Sequence, residues 1–153
     1  MTVPGPDVLV VGAGVSGLTT AVCLAEAGHR VEIRADRLPS ATTSAVAGAI
    51  WGPHLVEAGE RAARWRRATL AALNELAAAP GSDGTGVRTA EGIQLFRGPP
   101  AAPPDWISDL SGSRPCRPAE LPPGFRTGWR YAAPLAHMPT YLGYLQARFE
   151  RAG

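Results

Sequence analysis

Residues Asp7 to Asp36 read DVLVVGAGVSGLTTAVCLAEAGHRVEIRAD, and this stretch decides the fold. Val8-Leu9-Val10-Val11 is a short apolar run suited to a buried parallel strand. Gly12-Ala13-Gly14-Val15-Ser16-Gly17 follows without a gap. Leu18, Ala21, Val22 and Ala25 then recur at helical spacing, and Gly28 ends that helix. Arg30 to Ala35 alternates polar and apolar residues, as a second strand does. Strand, glycine turn, helix and strand together form the first half of a dinucleotide-binding unit.

The residue types follow from the chemistry of a diphosphate. Gly12 permits the tight turn after the strand, Gly14 lets a pyrophosphate approach the backbone, and Gly17 lets the helix pack close to the strand. The helix start offers unpaired N–H groups and the positive end of its dipole. Asp36 stands about 20 residues beyond the glycine turn, where a carboxylate accepts ribose hydroxyls. It falls one place after Ala35, the position at which such an acid usually ends the second strand. Glu32 is the competing acid, but it lies mid-strand and is expected to face away. A free carboxylate suits an unphosphorylated ribose, which points to FAD or NAD rather than NADP.

The chain has 153 residues, one domain's worth, and 45% hydrophobic content, enough for a core. Its formal charge of +2 argues against nucleic acid or a strongly basic membrane face as partner. All 15 basic residues are Arg. Cys23 is expected as a small buried apolar residue and Cys116 in a Pro-rich loop. No CxxC and no His/Cys cluster with zinc-ligand spacing occurs, so no metal is expected. No apolar stretch resembles a signal or membrane span, and the cytoplasm is the expected location.

Beyond Asp36 the chain runs through Arg37 to Trp51, a stretch rich in small residues. Thr42, Thr43 and Ser44 present three adjacent hydroxyls that suit phosphate or ribitol oxygens, or simply turns. Val46-Ala47-Gly48-Ala49-Ile50 would give a thin wall for a flat ring, with backbone N–H groups free to reach its heteroatoms. A flavin would use such a wall; a nicotinamide has no need of it.

Leu55 to Ala79 is a helix candidate with Ala62, Trp65, Thr69, Ala72, Leu73 and Leu76 on its apolar face. Trp65 is assigned to the core, and Arg61, Arg64, Arg66 and Arg67 to a solvated face. Ser82 to Gly86 is a turn cluster. Val87 to Thr89 and Gly92 to Arg97 read as two strands, and Gly98 to Pro104 as a loop. Trp106 to Leu110 suits a helical turn, Arg114 to Phe125 an irregular Pro-rich segment, and Gly128 to Ala132 a strand. Met138-Pro139-Thr140 opens a last helix, Tyr141 to Ala152, with Leu142, Leu145 and Phe149 on one face. Arg148 and Glu150 read as surface charges, and His137 as a loop histidine.

In this order GAGVSGL, RADR and TTSAVAGAIWGP resemble the D-amino-acid oxidase family. The likeness continues through the helix near Trp65, EGIQLF, TGWRY and YLGYLQARFERAG. The acid placed one residue late is also what the family shows. The resemblance implies non-covalent FAD. Ala13, Ser16, Asp36 and Arg37, within the Gly12-Ala13-Gly14-Val15-Ser16-Gly17 turn and after it, would hold the adenosine and pyrophosphate side. Thr42, Thr43 and Ser44 would contact diphosphate and ribitol, and Gly48, Ala49 and Ile50 would line one flavin face. Ile50 and His54 would border the substrate pocket. Family members often carry Gln in place of Gly52 and an aromatic in place of His54, which bears on substrate preference.

The fold class implied is α/β: a Rossmann-like βαβ start for FAD with part of an α+β substrate domain, both incomplete. Residues 1–56 and 138–153 would belong to the FAD-binding part and 57–137 to the substrate-domain portion. The activity implied is oxidative deamination of D-amino acids, giving 2-oxo acid, ammonia and peroxide. The resemblance puts the substrate clamp in the later half of the family's chain. No catalytic residue is therefore assigned, and the chain alone is expected to be inactive. A complementing C-terminal half or a homo-oligomer would be its partner, and the free edge of an incomplete sheet would invite pairing. Three alternatives stay open. One is a non-catalytic nucleotide-binding module or pseudoenzyme remnant, another is a different FAD-dependent amine or glycine oxidase, and the third is an NAD-dependent enzyme sharing only the first unit.

Overall fold

The structure, a computed structural model, describes residues 5–52, 59–98 and 103–152. The chain divides into two compact units. The first comprises Met1–Ala49, Gly81–Gly86 and Ala136–Gly153, and the second Ile50–Pro80 and Val87–Leu135.

The first unit begins with strand β1 (Val8–Val11), helix α1 (Val15–Glu26) and strand β2 (Val31–Arg34). The two strands pair in parallel, with Val8 opposite Val31 and Val11 opposite Arg34. Residues 27–29 close α1 in a Schellman arrangement. Gly28 N–H donates to the Ala25 carbonyl and His29 N–H to that of Leu24, with Gly28 at φ +91°. Helix α3 (Met138–Ala152) lies against α1, and Leu18 and Val22 pack on Met138, Leu142 and Leu145. Five such side chains leaving water contribute roughly 1.5–3 kcal/mol each before entropy is counted. The α3 face read from the sequence is the buried one.

Strand β1 is buried on one side only. Val10 faces the core, whereas Leu9 is 47% and Val11 81% exposed. The apolar run predicts burial on both faces, but these two strands alone form the parallel sheet among the described residues. Cys23 is exposed, not buried. Its position on α1 is adjacent to Val22 but faces away from the Leu18–Val22 stripe. Arg148 is more than a surface charge. Its guanidinium donates to both oxygens of Glu26, at 2.6 and 2.8 Å, and so clips α3 to α1. That hydrogen-bonded carboxylate also raises the affinity of Arg148 for its proton. His137 leads into α3, with its Nδ1 2.8 Å from the Thr140 hydroxyl and its N–H donating to the Gly86 carbonyl.

The second unit holds a four-stranded sheet in the order β3 (Ala49–Ile50), β6 (Thr127–Ala136), β4 (Val87–Phe96), with β5 (Arg114–Pro115) antiparallel on β6. Residues 87–96 form one strand where the sequence suggests two. Gly92 is not a break: a Cβ there would lie 2.7 Å from the Tyr131 ring, so the glycine gives that ring its place. Helix α2 (Glu60–Ala78) follows Gly59, and the start suggested at Leu55 lies outside the described residues.

The orientation of α2 differs from the sequence reading. Leu70 is buried and Leu73 packs beside it, but Trp65 is 61% exposed. Arg66 turns inward instead and donates from Nε to Asp109 at 2.6 Å, with side chains only 19% and 14% exposed. The apolar stripe is thus centred on Leu70, and one of the four arginines leaves the solvated face. Trp51, Leu70, Leu110 and Ala133 form the core, with Trp106 edge-on to both Trp51 and Tyr131.

An acid-labile contact ties β5 to the following 3-10 turn. Arg114 donates to both oxygens of Glu120, at 2.7 and 2.8 Å. Those bonds, with the Arg117 N–H, hold the Glu120 carboxyl from an ordinary 4.5 down to about 2. Between those values the unfolded chain binds a proton that the folded chain does not. The contribution of Glu120 to stability is therefore complete above pH 4.5 and is lost as pH falls toward 2. Glu120→Gln should flatten this part of the urea-midpoint profile; an unchanged acid limb would show that the contact does not carry it.

Candidate cofactor site

The glycine turn is built as its spacing demands. Gly12 has φ +107°, a conformation that L side chains rarely adopt. A Cβ on Gly17 would sit 2.0 Å from the Gly12 carbonyl oxygen, so the helix can approach the strand end only without it. A Cβ on Gly14 would meet the Ser44 hydroxyl at 3.0 Å and has the Thr42 hydroxyl 4.0 Å away. The hydroxyl loop therefore lies directly against the opening of α1.

That proximity carries a hydrogen bond. Val15 N–H donates to Ser44 Oγ at 3.1 Å. Ser44 thus satisfies one of the unpaired donors at the helix start and keeps its own O–H free to donate. The N–H groups of Ser16 and Gly17 have no hydrogen-bond partner among the described residues. Thr42 spends its hydroxyl proton on the Pro39 carbonyl, at 2.7 Å, and so braces the loop. Thr43 is exposed. Ser44→Ala should cost about 1 kcal/mol of stability, as loss of a cap does, while Thr43→Ala should cost almost nothing. Thermal melts of the two variants compare them; equal melting temperatures would deny Ser44 this role.

Asp36 and Arg37 come together with Ala13 at a second feature. They line a cavity of about 410 Å³ whose apolar walls include Leu18, Ile33 and Phe149. Asp36 keeps 89% of its side chain in solvent, with Arg37 Nε 3.6 Å away. Its carboxylate remains available to a ligand. Glu32 is occupied by Arg34, whose Nε donates to it at 2.7 Å. Asp36 is the acid at the cavity because β2 ends at Arg34 and the chain turns there.

The small-residue ribbon is open. Val46 is 88% exposed, and a Cβ on Gly48 would meet nothing within 4 Å. Ala49 packs partly on the first core. Ile50, 46% exposed, belongs to the second unit, and His54 lies outside the described residues. The structure thus gathers Gly12 to Gly17 with Thr42 and Ser44, and Ala13 with Asp36 and Arg37.

The sequence reading missed two features. The first is the approach of α3 to the Asp36 cavity, through Gln146, Phe149 and Glu150. The second is a cavity of about 840 Å³ in the second unit, lined by Trp51, Trp65, Trp106, Arg66, Arg67 and Asp109 among others. Its inner arginine and acid are already paired with each other. A Trp set between arginines, Arg64-Trp65-Arg66-Arg67, is the signal the sequence offers for it. Among the described residues, no group of three or more His, Cys, Asp or Glu is placed to hold a metal ion.

Comparison with known proteins gives this geometry its context. Residues 7–153 match the protein-family model described as DAO, FAD dependent oxidoreductase. The chain belongs to that family. It is 46% identical over 145 residues to a D-amino-acid oxidase of Rubrobacter xylanophilus and 40% identical over 147 residues to one of Streptomyces coelicolor. These matches take in 95% and 96% of the chain but 44% of each relative. The chain thus spans less than half the length of these curated relatives. The solved structure of a glycine oxidase from Bacillus cereus superposes with a TM-score of 0.61 at 19% identity, covering 97% of the chain and 45% of that structure. This likeness concerns the fold, which is the Rossmann-like, mixed α/β start of a DAO-family oxidoreductase.

Proposed function

We propose that this chain forms the FAD-binding portion of a D-amino-acid oxidase and is catalytically silent by itself. The observation that carries the proposal is the Ser44–Val15 hydrogen bond, which folds the hydroxyl loop over the opening of α1. It leaves three donors for a diphosphate: the N–H groups of Ser16 and Gly17 and the Ser44 hydroxyl. Gly14 lets an anion come close to this backbone. Asp36 and Arg37 at the neighbouring cavity suit the adenosine side. Thr42 braces the loop, and the exposed Thr43 would contact the ribitol chain. Gly48, Ala49 and Ile50 would line one ring face, with Ile50 and His54 toward the substrate.

FAD, when bound, supplies the two-electron acceptor for oxidation at the Cα–N bond of a D-amino acid, leaving an imino acid that water hydrolyses to a 2-oxo acid and ammonia, with peroxide formed from oxygen. The part played by these residues is to hold and orient the cofactor. Relatives at 46% and 40% identity carry the name D-amino-acid oxidase, which supports that substrate class. Because the chain corresponds to 44% of each of them, we place the substrate clamp in a further polypeptide or segment.

The purified chain tests this reading. Incubated with FAD and passed through gel filtration, it should retain the yellow flavin band, and it should release no peroxide from D-alanine. A protein that emerges colourless removes the cofactor assignment. Measurable peroxide removes the claim of silence. Turnover that appears only on co-expression with the remaining length of a relative would identify the missing partner.

A further inference from the structure

The cavity of about 840 Å³ in the second unit takes no part in the proposed cofactor site. None of the residues assigned to FAD lines it. Its walls come from the residues after β3, from α2 and from the 3-10 turn Asp105–Asp109. Three of the chain's four tryptophans meet there. Trp51 and Trp106 stand edge to face, with ring centroids 6.3 Å apart and planes at 72°. Trp106 is braced in turn by Tyr131, at 5.3 Å and 84°. Two indole walls are thus held nearly at right angles. Trp65 adds a third ring and leaves 61% of its surface in water.

The charges around these rings are unequal. Arg66 and Arg67 both turn to one carboxylate: Arg66 Nε donates to Asp109 at 2.6 Å, and Arg67 Nε lies 3.7 Å from it. Glu60 and Asp105 are exposed and form no ion pair among the described residues. The described lining therefore sets three carboxylates against two guanidiniums, and the guanidiniums are already committed.

We propose that this cavity binds an organic cation, a quaternary ammonium or substituted amine. The face of an aromatic ring carries negative potential and attracts a cation, tryptophan most strongly. The same face disfavours an anion. Glu60 and Asp105 add the charge that a cation seeks, and the apolar walls take the alkyl groups around its nitrogen. The volume suits a small organic ligand. Gly52 keeps the space open: a Cβ there would lie 4.0 Å from the Trp106 ring, an ordinary contact with room beyond it for a longer side chain to fill.

Tryptophan fluorescence of the full chain, titrated with choline, tests the proposal without any turnover assay. The control ligand is the neutral carbon analogue of choline, in which a tert-butyl group replaces the trimethylammonium. Choline should give a saturable change at roughly tenfold lower concentration than the analogue. Glu60→Gln with Asp105→Asn should weaken choline about tenfold and leave the analogue unchanged. Trp65→Leu should weaken choline about three- to tenfold, with Trp51 and Trp106 still reporting. All three positions are exposed, so urea midpoints should stay near that of the wild type. Equal affinity for choline and its analogue makes the cavity merely apolar and overturns the proposal. No saturable change with choline overturns it, and so does tighter binding of an anion, benzenesulfonate. Choline affinity unchanged in both variants removes the site from this cavity. Flavin retention is measured separately, so none of these results bears on the FAD reading.

Discussion

Gly17→Ala should unfold the first unit or leave it close to unfolding. The added Cβ would lie 2.0 Å from the Gly12 carbonyl oxygen and 2.9 Å from its carbon, both backbone atoms that cannot rotate away. To relieve this, α1 must lift from the end of β1, which strips contacts from Val10 and Leu18, both buried. Overpacking of a flexible core costs about 1–3 kcal/mol, and a backbone collision this close lies above that range. A domain whose total stability is of the order of 5–15 kcal/mol has little reserve for it. Gly48→Ala is the matched control, because nothing lies within 4 Å of its added methyl. Circular dichroism melts should show Gly17→Ala melting far below the wild type and Gly48→Ala beside it. A normal melt for Gly17→Ala would refute the close packing of helix and turn.

Asp109→Ala should be strongly destabilising to the second unit, although the residue belongs to no apolar core. It removes the partner of Arg66, whose side chain is only 19% exposed, and that of Arg67, whose Nε is 3.7 Å from the same carboxylate. A desolvated guanidinium left without a counter-charge costs roughly 2–4 kcal/mol here, somewhat less than in a fully buried pair. The contrast is Glu91, 81% exposed and 3.3 Å from Arg130. Glu91→Ala should change stability by no more than about 0.5 kcal/mol, because solvent screens that pair. Replacing both partners, in Arg66→Met with Asp109→Leu, should recover most of the loss, since no orphaned charge remains. Urea denaturation of these variants decides the matter: if Asp109→Ala moves the midpoint as little as Glu91→Ala, the inner pair has no structural weight.

The two predictions mark the limits of what could be read from the sequence. Gly17 was assigned its packing role from a spacing of residues within one turn of helix and one strand end. All of its partners lie within a few residues, so the sequence order is nearly the spatial order. Asp109 carried no such signal. Its partner is 43 positions away, and the arginine that meets it was read as solvated because it stands among three others. The phase of α2 explains that error. Its helical wheel offers Ala and Arg on most sides, so apolar periodicity does not single out a face, and Trp65 biased the reading toward the wrong one. Only the position of Leu70 under Trp51, Leu110 and Ala133 fixes the rotation.

Gly92 shows the same distinction in a strand. In sequence it reads as punctuation, whereas in space it is room for the ring of Tyr131, from a neighbouring region of the sheet. The candidate site divides along the same line. The three glycines and Asp36 could be read because a βαβ unit is local. The hydroxyls of Thr42 and Ser44 could be seen as candidates, but their different uses could not. One is turned to Pro39 and the other to Val15.

By itself, then, the sequence determined the β1–α1–β2 unit, the backbone turn at Gly12, the close packing at Gly17 and the buried stripe of α3; the family followed from a resemblance that runs along nearly the whole chain. The unit, the two glycine roles and the stripe depend on periodicity or spacing within one or two neighbouring elements, where backbone geometry leaves one solution. Tertiary structure alone decided which arginine of α2 turns inward, which hydroxyl caps α1, and that α3 walls the cavity beside Asp36. Those outcomes depend on segments far apart in the chain, and their meeting is fixed by packing within each unit's own core rather than by any local pattern.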